Sequence, residues 1–215
     1  MTDVRLVDFH SILNCEEKVI TFCLSDPAKG IERDYSYELY DRAPMPQDNE
    51  LSIHDIWLAN NIGAGIEPRH FLAIWAARPR IGRALGQVPA NIALTDDWAE
   101  DDGWARLRDL FEATNLKGVA YARISKILHK KRPRLIPLTD GEAVVKHRFG
   151  ESERSDVAAH MVEIAQRIRQ DLIANLQPMQ RIQQKLWQQH GIELSLVRIM
   201  DILYWEDLKS GRARG

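Results

Sequence analysis

Leu116-Lys117-Gly118-Val119-Ala120 joins two stretches whose apolar residues recur at helical spacing. Before it, Gly103–Thr114 sets Trp104, Leu107, Leu110 and Phe111 on one side, and Asn115 suits a helix C-terminus. After it, Tyr121–Lys131 reads as a second helix. The five residues therefore predict a tight glycine turn between two helices. Such a turn presents backbone N–H groups at the start of the second helix, where they suit a phosphate, and glycine there avoids a side chain in the approach.

Helical patterns extend outward in both directions. Apolar spacing predicts a helix over 6–24, although Val19-Ile20-Thr21-Phe22 also suits a strand; Pro27 and Gly30 break it. Residues 35–49 read as irregular because of Pro44 and Pro46. Ser52 looks like an N-cap with Asp55 three positions on, opening a helix that Gly63 and Gly65 end. Pro68 starts another to Arg78. Residues 80–102, with Gly82, Gly86, Pro89 and the acids Asp96, Asp97, Glu100, Asp101 and Asp102, read as a solvated loop. Towards the C-terminus a long helix is expected over 152–176, a second ends at Gly191, and Ser195 opens a third over 196–208. Only 134–138 offers a competing strand pattern. The fold class is all-α: one mostly helical domain over 1–215, a helical bundle with irregular loops around 26–50 and 80–102.

Composition narrows the function classes. Hydrophobic residues make up 45% and charged residues 28% of the chain, as in ordinary globular proteins. No apolar run approaches the length of a membrane span, and the N-terminus lacks a signal-peptide pattern, so no membrane partner and a cytoplasmic location are expected. Cys15 and Cys23 read as small core residues. The seven histidines show no metal-ligand spacing and no Gly-Lys-Ser/Thr loop occurs, so no metal, cofactor or nucleotide cofactor is expected. The net charge of -2 hides an asymmetry: residues 117–148 hold nine Lys or Arg against Asp140 and Glu142, about +7, leaving about -9 elsewhere. Such a segment suits a polyanion.

Residues 116–149 resemble the hairpin and following segment of the helix-hairpin-helix DNA glycosylases. Leu116, Gly118 and Val119 match the hairpin of that family, and Ile136-Pro137-Leu138-Thr139-Asp140 resembles the motif that carries its catalytic Asp. Residues 104–149 thus form the hairpin and Asp motif, and 152–208 the C-terminal helices. The resemblance implies that fold, DNA as partner, and possible action on damaged or modified bases. By it Asp140 would stabilise an oxocarbenium-like sugar or orient water while a base is flipped out. Gly118, Val119 and Ala120 would contact phosphates, with Arg123, Lys126, Lys130, Lys131, Arg132 and Arg134 around them. Three features depart from the pattern: Ala120 replaces the second hairpin glycine, which requires a negative φ there; Lys117 stands where Pro is usual; and Ala122 occupies the position of the nucleophilic lysine. Ser125–Asp140, with Lys131-Arg132-Pro133-Arg134-Leu135-Ile136-Pro137 inside it, more closely resembles a bacterial family of no known activity.

Blander readings compete at each position. Thr139-Asp140-Gly141-Glu142 is a capping box in its own right, with Thr139 at the N-cap. Trp57, Trp75, Trp98 and Trp104 suit the core or its edge better than a stacking platform. The rivals are therefore a nucleic-acid-binding module without a reaction, and an interaction protein whose basic segment docks on its own acids at 96–102 or on a protein partner. Oligomeric state is not legible.

Overall fold

The computed structural model describes residues 3–6, 11–24, 35–44, 48–100, 102–150 and 156–212. Pro27, Gly30, Pro46, Asp101 and Ser152, used above, lie outside them. The described chain is mostly helical: α1 (Cys15–Cys23), α2 (Tyr35–Arg42), α3 (Ile53–Asn61), α4 (Pro68–Leu85), α5 (Gly103–Thr114), α6 (Tyr121–Lys131), a π-helix (Gly141–Arg148), α7 (Val157–Ala174), α8 (Leu176–His190) and α9 (Leu196–Arg212). Helix α5 packs on α4 and α7, α3 packs on α6, and α9 crosses α1, α8 and the π-helix around a single large core. A smaller cluster, Tyr40, Leu58, Ile62 and Leu138, seals α2 against α3.

Local signals carry several of these elements. Ser52 and Asp55 form the expected reciprocal cap, α5 has the expected bounds, and the N–H of Arg198 donates to Ser195 Oγ at 3.1 Å.

Elsewhere tertiary packing overrides the local reading. The expected helix over 6–24 is replaced by the antiparallel strands β1 (Val4–Arg5) and β2 (Ser11–Ile12), followed by α1. The first strand is held from outside, since Asn175 Oδ1 accepts from the Arg5 N–H at 2.9 Å and Asn175 Nδ2 donates to its carbonyl. Residues 35–42 are helical because Tyr40 is buried, its hydroxyl donating to the Lys126 carbonyl at 2.6 Å.

Helix α4 continues through Pro79 to Leu85. The ring removes the N–H that would reach the Trp75 carbonyl, and Arg78 Nη1 donates to that oxygen instead, at 2.8 Å. Gly82 lies against the Asn49 carbonyl, 2.7 Å from where a Cβ would stand, so the glycine serves a close contact rather than a loop. Residues 134–138 form no strand; the Leu135 and Ile136 N–H groups turn back on the Arg132 carbonyl.

Candidate functional site

The turn takes the expected form. Its Val119 N–H donates to the Leu116 carbonyl at 2.9 Å, and Gly118 adopts φ +80° with nothing within 4 Å of a Cβ built on it. Lys117 and Gly118 are exposed. Ala120 has φ -61°, so its methyl group is accommodated where the family pattern has glycine. No side chain caps the start of α6. A hollow of about 390 Å³ lies beside the turn, bounded by Phe111, Asn115, Ile124, Val157 and Met161.

The surrounding cations divide into two groups. Lys130, Lys131 and Arg132, expected on a polyanion-binding face, are buried in the last turn of α6 and just beyond it. Lys131, 1% exposed, bonds Asp48 at 2.9 Å and the fully buried Asp55 at 3.1 Å. Lys130 donates to the Tyr40 and Ala43 carbonyls at 2.7 and 3.1 Å, closing the C-terminal end of α2. Arg132 donates from Nε to the Val88 carbonyl and from Nη2 to the Leu85 carbonyl, each at 2.8 Å, and from Nη2 to Asn49 Oδ1 at 2.5 Å. Burial pushes Lys130 and Arg132 below their ordinary values, in Arg132 against the pull of Asp48.

These three side chains cannot reach a phosphate, which corrects their assignment to the binding face. Among the described acids of 96–102, Asp97 pairs with Arg169 and Asp102 with Arg106. Arg134 is exposed, but lies beyond the far end of α6, about 16 Å of helix from the turn. Arg123 and Lys126 flank the turn of Gly63 and Gly65: Arg123 Nε donates to the Gly65 carbonyl at 3.1 Å and Lys126 Nζ to the Gly63 carbonyl at 3.4 Å.

Asp140 is the N-cap of the π-helix, a place the sequence reading gave to Thr139. Its Oδ1 accepts from the Glu142 and Ala143 N–H groups, both at 2.9 Å. Thr139 is buried instead, its N–H donating to Ser125 Oγ at 3.2 Å, and Glu142 pairs with Lys146 rather than reaching back. No described residue donates to Asp140 Oδ2. The side chain borders a cleft of about 30 Å³ with Phe22, Tyr37, Lys126, Arg198, Asp201 and Trp205.

Arg198 anchors the wall of that cleft. It holds Asp41 through two bonds of 2.8 and 3.0 Å, pairs with Asp201, and lies over the rings of Phe22 and Tyr37. Burial works against the Arg198 charge, but Asp41 and Asp201 outweigh it and hold the group above its ordinary value. Burial raises Asp201 to about 6 despite Arg198. Lys126 is pushed down by burial, partly offset by Asp140 and Asp201.

The sequence reading missed Arg198, Asp201, Tyr37 and Trp205 as site residues. A signal was present: Arg198 and Asp201 interrupt an otherwise apolar run from Leu196 to Tyr204, three residues apart on one helix face. The tryptophans also sort differently, since Trp57 is 49% exposed rather than core, and Trp205 is the one beside Asp140. The glycine turn and the Asp140 cleft share no lining residue, although both border α6.

Among the described residues no helix is long and apolar enough to cross a membrane. No curated protein and no solved structure matches the chain. A family model does match, over residues 26–208, and by that match the chain belongs to DUF6308, a family of unknown function.

Proposed function

We propose that this chain is a DNA-binding protein of the helix-hairpin-helix glycosylase-like type, engaging phosphate at Gly118, Val119 and Ala120 and presenting Asp140 to the sugar of an extruded base. The observation that carries the reading is the state of the Asp140 carboxylate. One oxygen is fixed by two backbone amides, the other takes no bond from any described residue, and Asp140 borders a cleft lined by three aromatic rings. A carboxylate so held is suited to stabilise positive charge developing on a sugar, or to orient water against it. Lys117 and Arg123 supply charge beside the turn.

A base is larger than the cleft, so its entry requires Phe22, Tyr37 and Trp205 to part. That narrowness favours the second reading, a module that binds nucleic acid without cutting it.

Anisotropy of a labelled duplex across a salt series tests binding. Two or three phosphate contacts predict a slope of log K against log salt of about -2 to -3, reduced by about one in Lys117→Glu. No binding at low salt, or a slope indifferent to Lys117, refutes the reading. Asp140→Asn separates the two forms, because Asn still caps the helix: lost base release with retained binding identifies an enzyme.

A further inference from the structure

A hollow of about 790 Å³ lies beyond the far end of α6, where the end of α2, the loop at 93–96, Arg134, the junction of α7 with α8, and the segment 193–197 meet. It shares no lining residue with the glycine turn or the Asp140 cleft. Two of its walls are braced by hydrogen bonds. The Leu94 N–H donates to the Arg134 carbonyl at 2.9 Å, tying the loop to the end of α6. On another side Gln183 Nε2 donates to the Leu194 carbonyl at 2.6 Å, tying 193–197 to α8. A hollow of this size, formed in advance between several elements, is the usual setting of a small-ligand site.

The deeper charges of the hollow are already committed. Asp41 is held by Arg198 through two bonds, and Lys130 by the Tyr40 and Ala43 carbonyls. Arg134, Asp96 and Glu193 are exposed, and none of them pairs with a described residue of opposite charge. Arg134 has only the Asn91 carbonyl at 3.4 Å, and Asp96 keeps one oxygen on the Ala93 N–H at 2.9 Å. The open acids outnumber the open cation, so a ligand that answers all three must carry an amine as well as an acid. The guanidinium fork of Arg134 fits a carboxylate in two-point contact. Half-buried Leu176 and Leu196 offer apolar surface to whatever joins the two charges.

We propose that this hollow binds a short peptide with free ends, its carboxylate on Arg134 and its amine on Glu193. The dimensions select the length. A sphere of about 790 Å³ is roughly 11 Å across, whereas an extended residue spans about 3.5 Å and an ion pair takes about 2.8 Å at each end. Two or three residues bridge that width, while a free amino acid carries both charges on one carbon. Gln180, exposed on α8 beside the hollow, has both a donor and an acceptor for a peptide bond. The site uses none of the groups assigned to nucleic acid above and stands whether or not the chain binds DNA.

Calorimetric titration of the whole chain with trialanine tests it, beside N-acetyl-trialanine, trialanine amide and free alanine. Trialanine should bind, and blocking either end should weaken binding several-fold. Arg134→Gln should weaken trialanine several-fold yet leave trialanine amide unchanged, because that peptide has no carboxylate to lose. Glu193→Gln should do the same for the amine end, sparing N-acetyl-trialanine. Both positions are exposed, so the unfolding midpoint of each variant should match that of the parent chain. Absence of saturable binding by trialanine overturns the proposal. So does equal binding of the free and blocked peptides, or a variant that weakens its blocked counterpart as much as the free one. Alanine binding as tightly as trialanine overturns the assignment of a peptide.

Discussion

Replacing Lys131 by Met separates a structural from a binding role for the basic segment. The methionine fills similar space, so the change is chiefly electrical. Asp55 remains with no exposure, its Oδ2 still accepting from the Ser52 N–H and hydroxyl at 2.6 and 2.8 Å, while its Oδ1 has no partner. Asp48 is half exposed and can turn to water. The loss therefore falls on Asp55, and removing one member of a buried ion pair costs about 3 to 5 kcal/mol. For a domain stable by about 5 to 15 kcal/mol this is a large share. With a urea dependence of about 2 kcal/mol per molar, the midpoint should fall by about 2 M. Lys117→Met, at an exposed position, should move it by less than about 0.5 kcal/mol. Adding Asp55→Asn to Lys131→Met should recover part of the loss, because a neutral amide needs no counter-ion. A Lys131→Met protein as stable as Lys117→Met, yet weaker in its salt-dependent binding to DNA, would refute the buried assignment.

Asp140→Ala should lose about 1 kcal/mol of stability through the cap, measured by chemical denaturation, whereas Asp140→Asn should lose only a few tenths. Gly118→Val should cost about 1 to 2 kcal/mol by the same measurement, from φ +80° alone, since no atom crowds the position. Burial raises Asp201 to about 6 and lowers His129 to about 4. Between about pH 4 and 6 the folded state retains a proton on Asp201 that the unfolded chain has released, so this contribution falls as pH rises. His129 acts oppositely, losing stability as pH drops from about 6.5 to 4, so Asp201→Asn should steepen the rise of stability with pH across that window by up to about 1.4 kcal/mol per unit. Burial pushes the Cys15 thiol up to about 11, so a thiol reagent should titrate Cys23 first and reach Cys15 only on unfolding.

What the sequence made legible was local. Ser52 with Asp55, the apolar stripe of α5, the glycine turn and Ser195 each rest on neighbours within one helical turn, and each stands in the structure as read. Helix α2 was hidden because its stability comes from Tyr40 reaching Lys126 across the chain. The continuation of α4 through Pro79 depends on a side chain, Arg78, repairing a backbone deficit, which no propensity records. The basic segment misled for a related reason. Four cations in five positions look alike in sequence whether they face solvent or fill a core, and only the carbonyls of Tyr40, Ala43, Leu85 and Val88, all distant in sequence, decide between them.

That sorting bears on how the chain could hold a polyanion. Of the cations in 117–148, Lys130, Lys131 and Arg132 are interior, Lys146 pairs with Glu142, and Arg148 pairs with buried Asp171 at 2.6 Å. Lys117, Arg123 and Lys126 remain near the turn, with Arg134 at the other end of α6. Charge of that extent spans two or three phosphates, too little to hold a duplex by its backbone alone. If the chain binds nucleic acid, most of its selectivity must then arise where rings and a free carboxylate oxygen meet, at Asp140, and the turn serves to bring one strand to that cleft. The burial of the three cations therefore concentrates the functional reading on the first half of α6, where Arg123 and Lys126 lie against the glycine turn at 63–65 and where the Asp140 cleft opens.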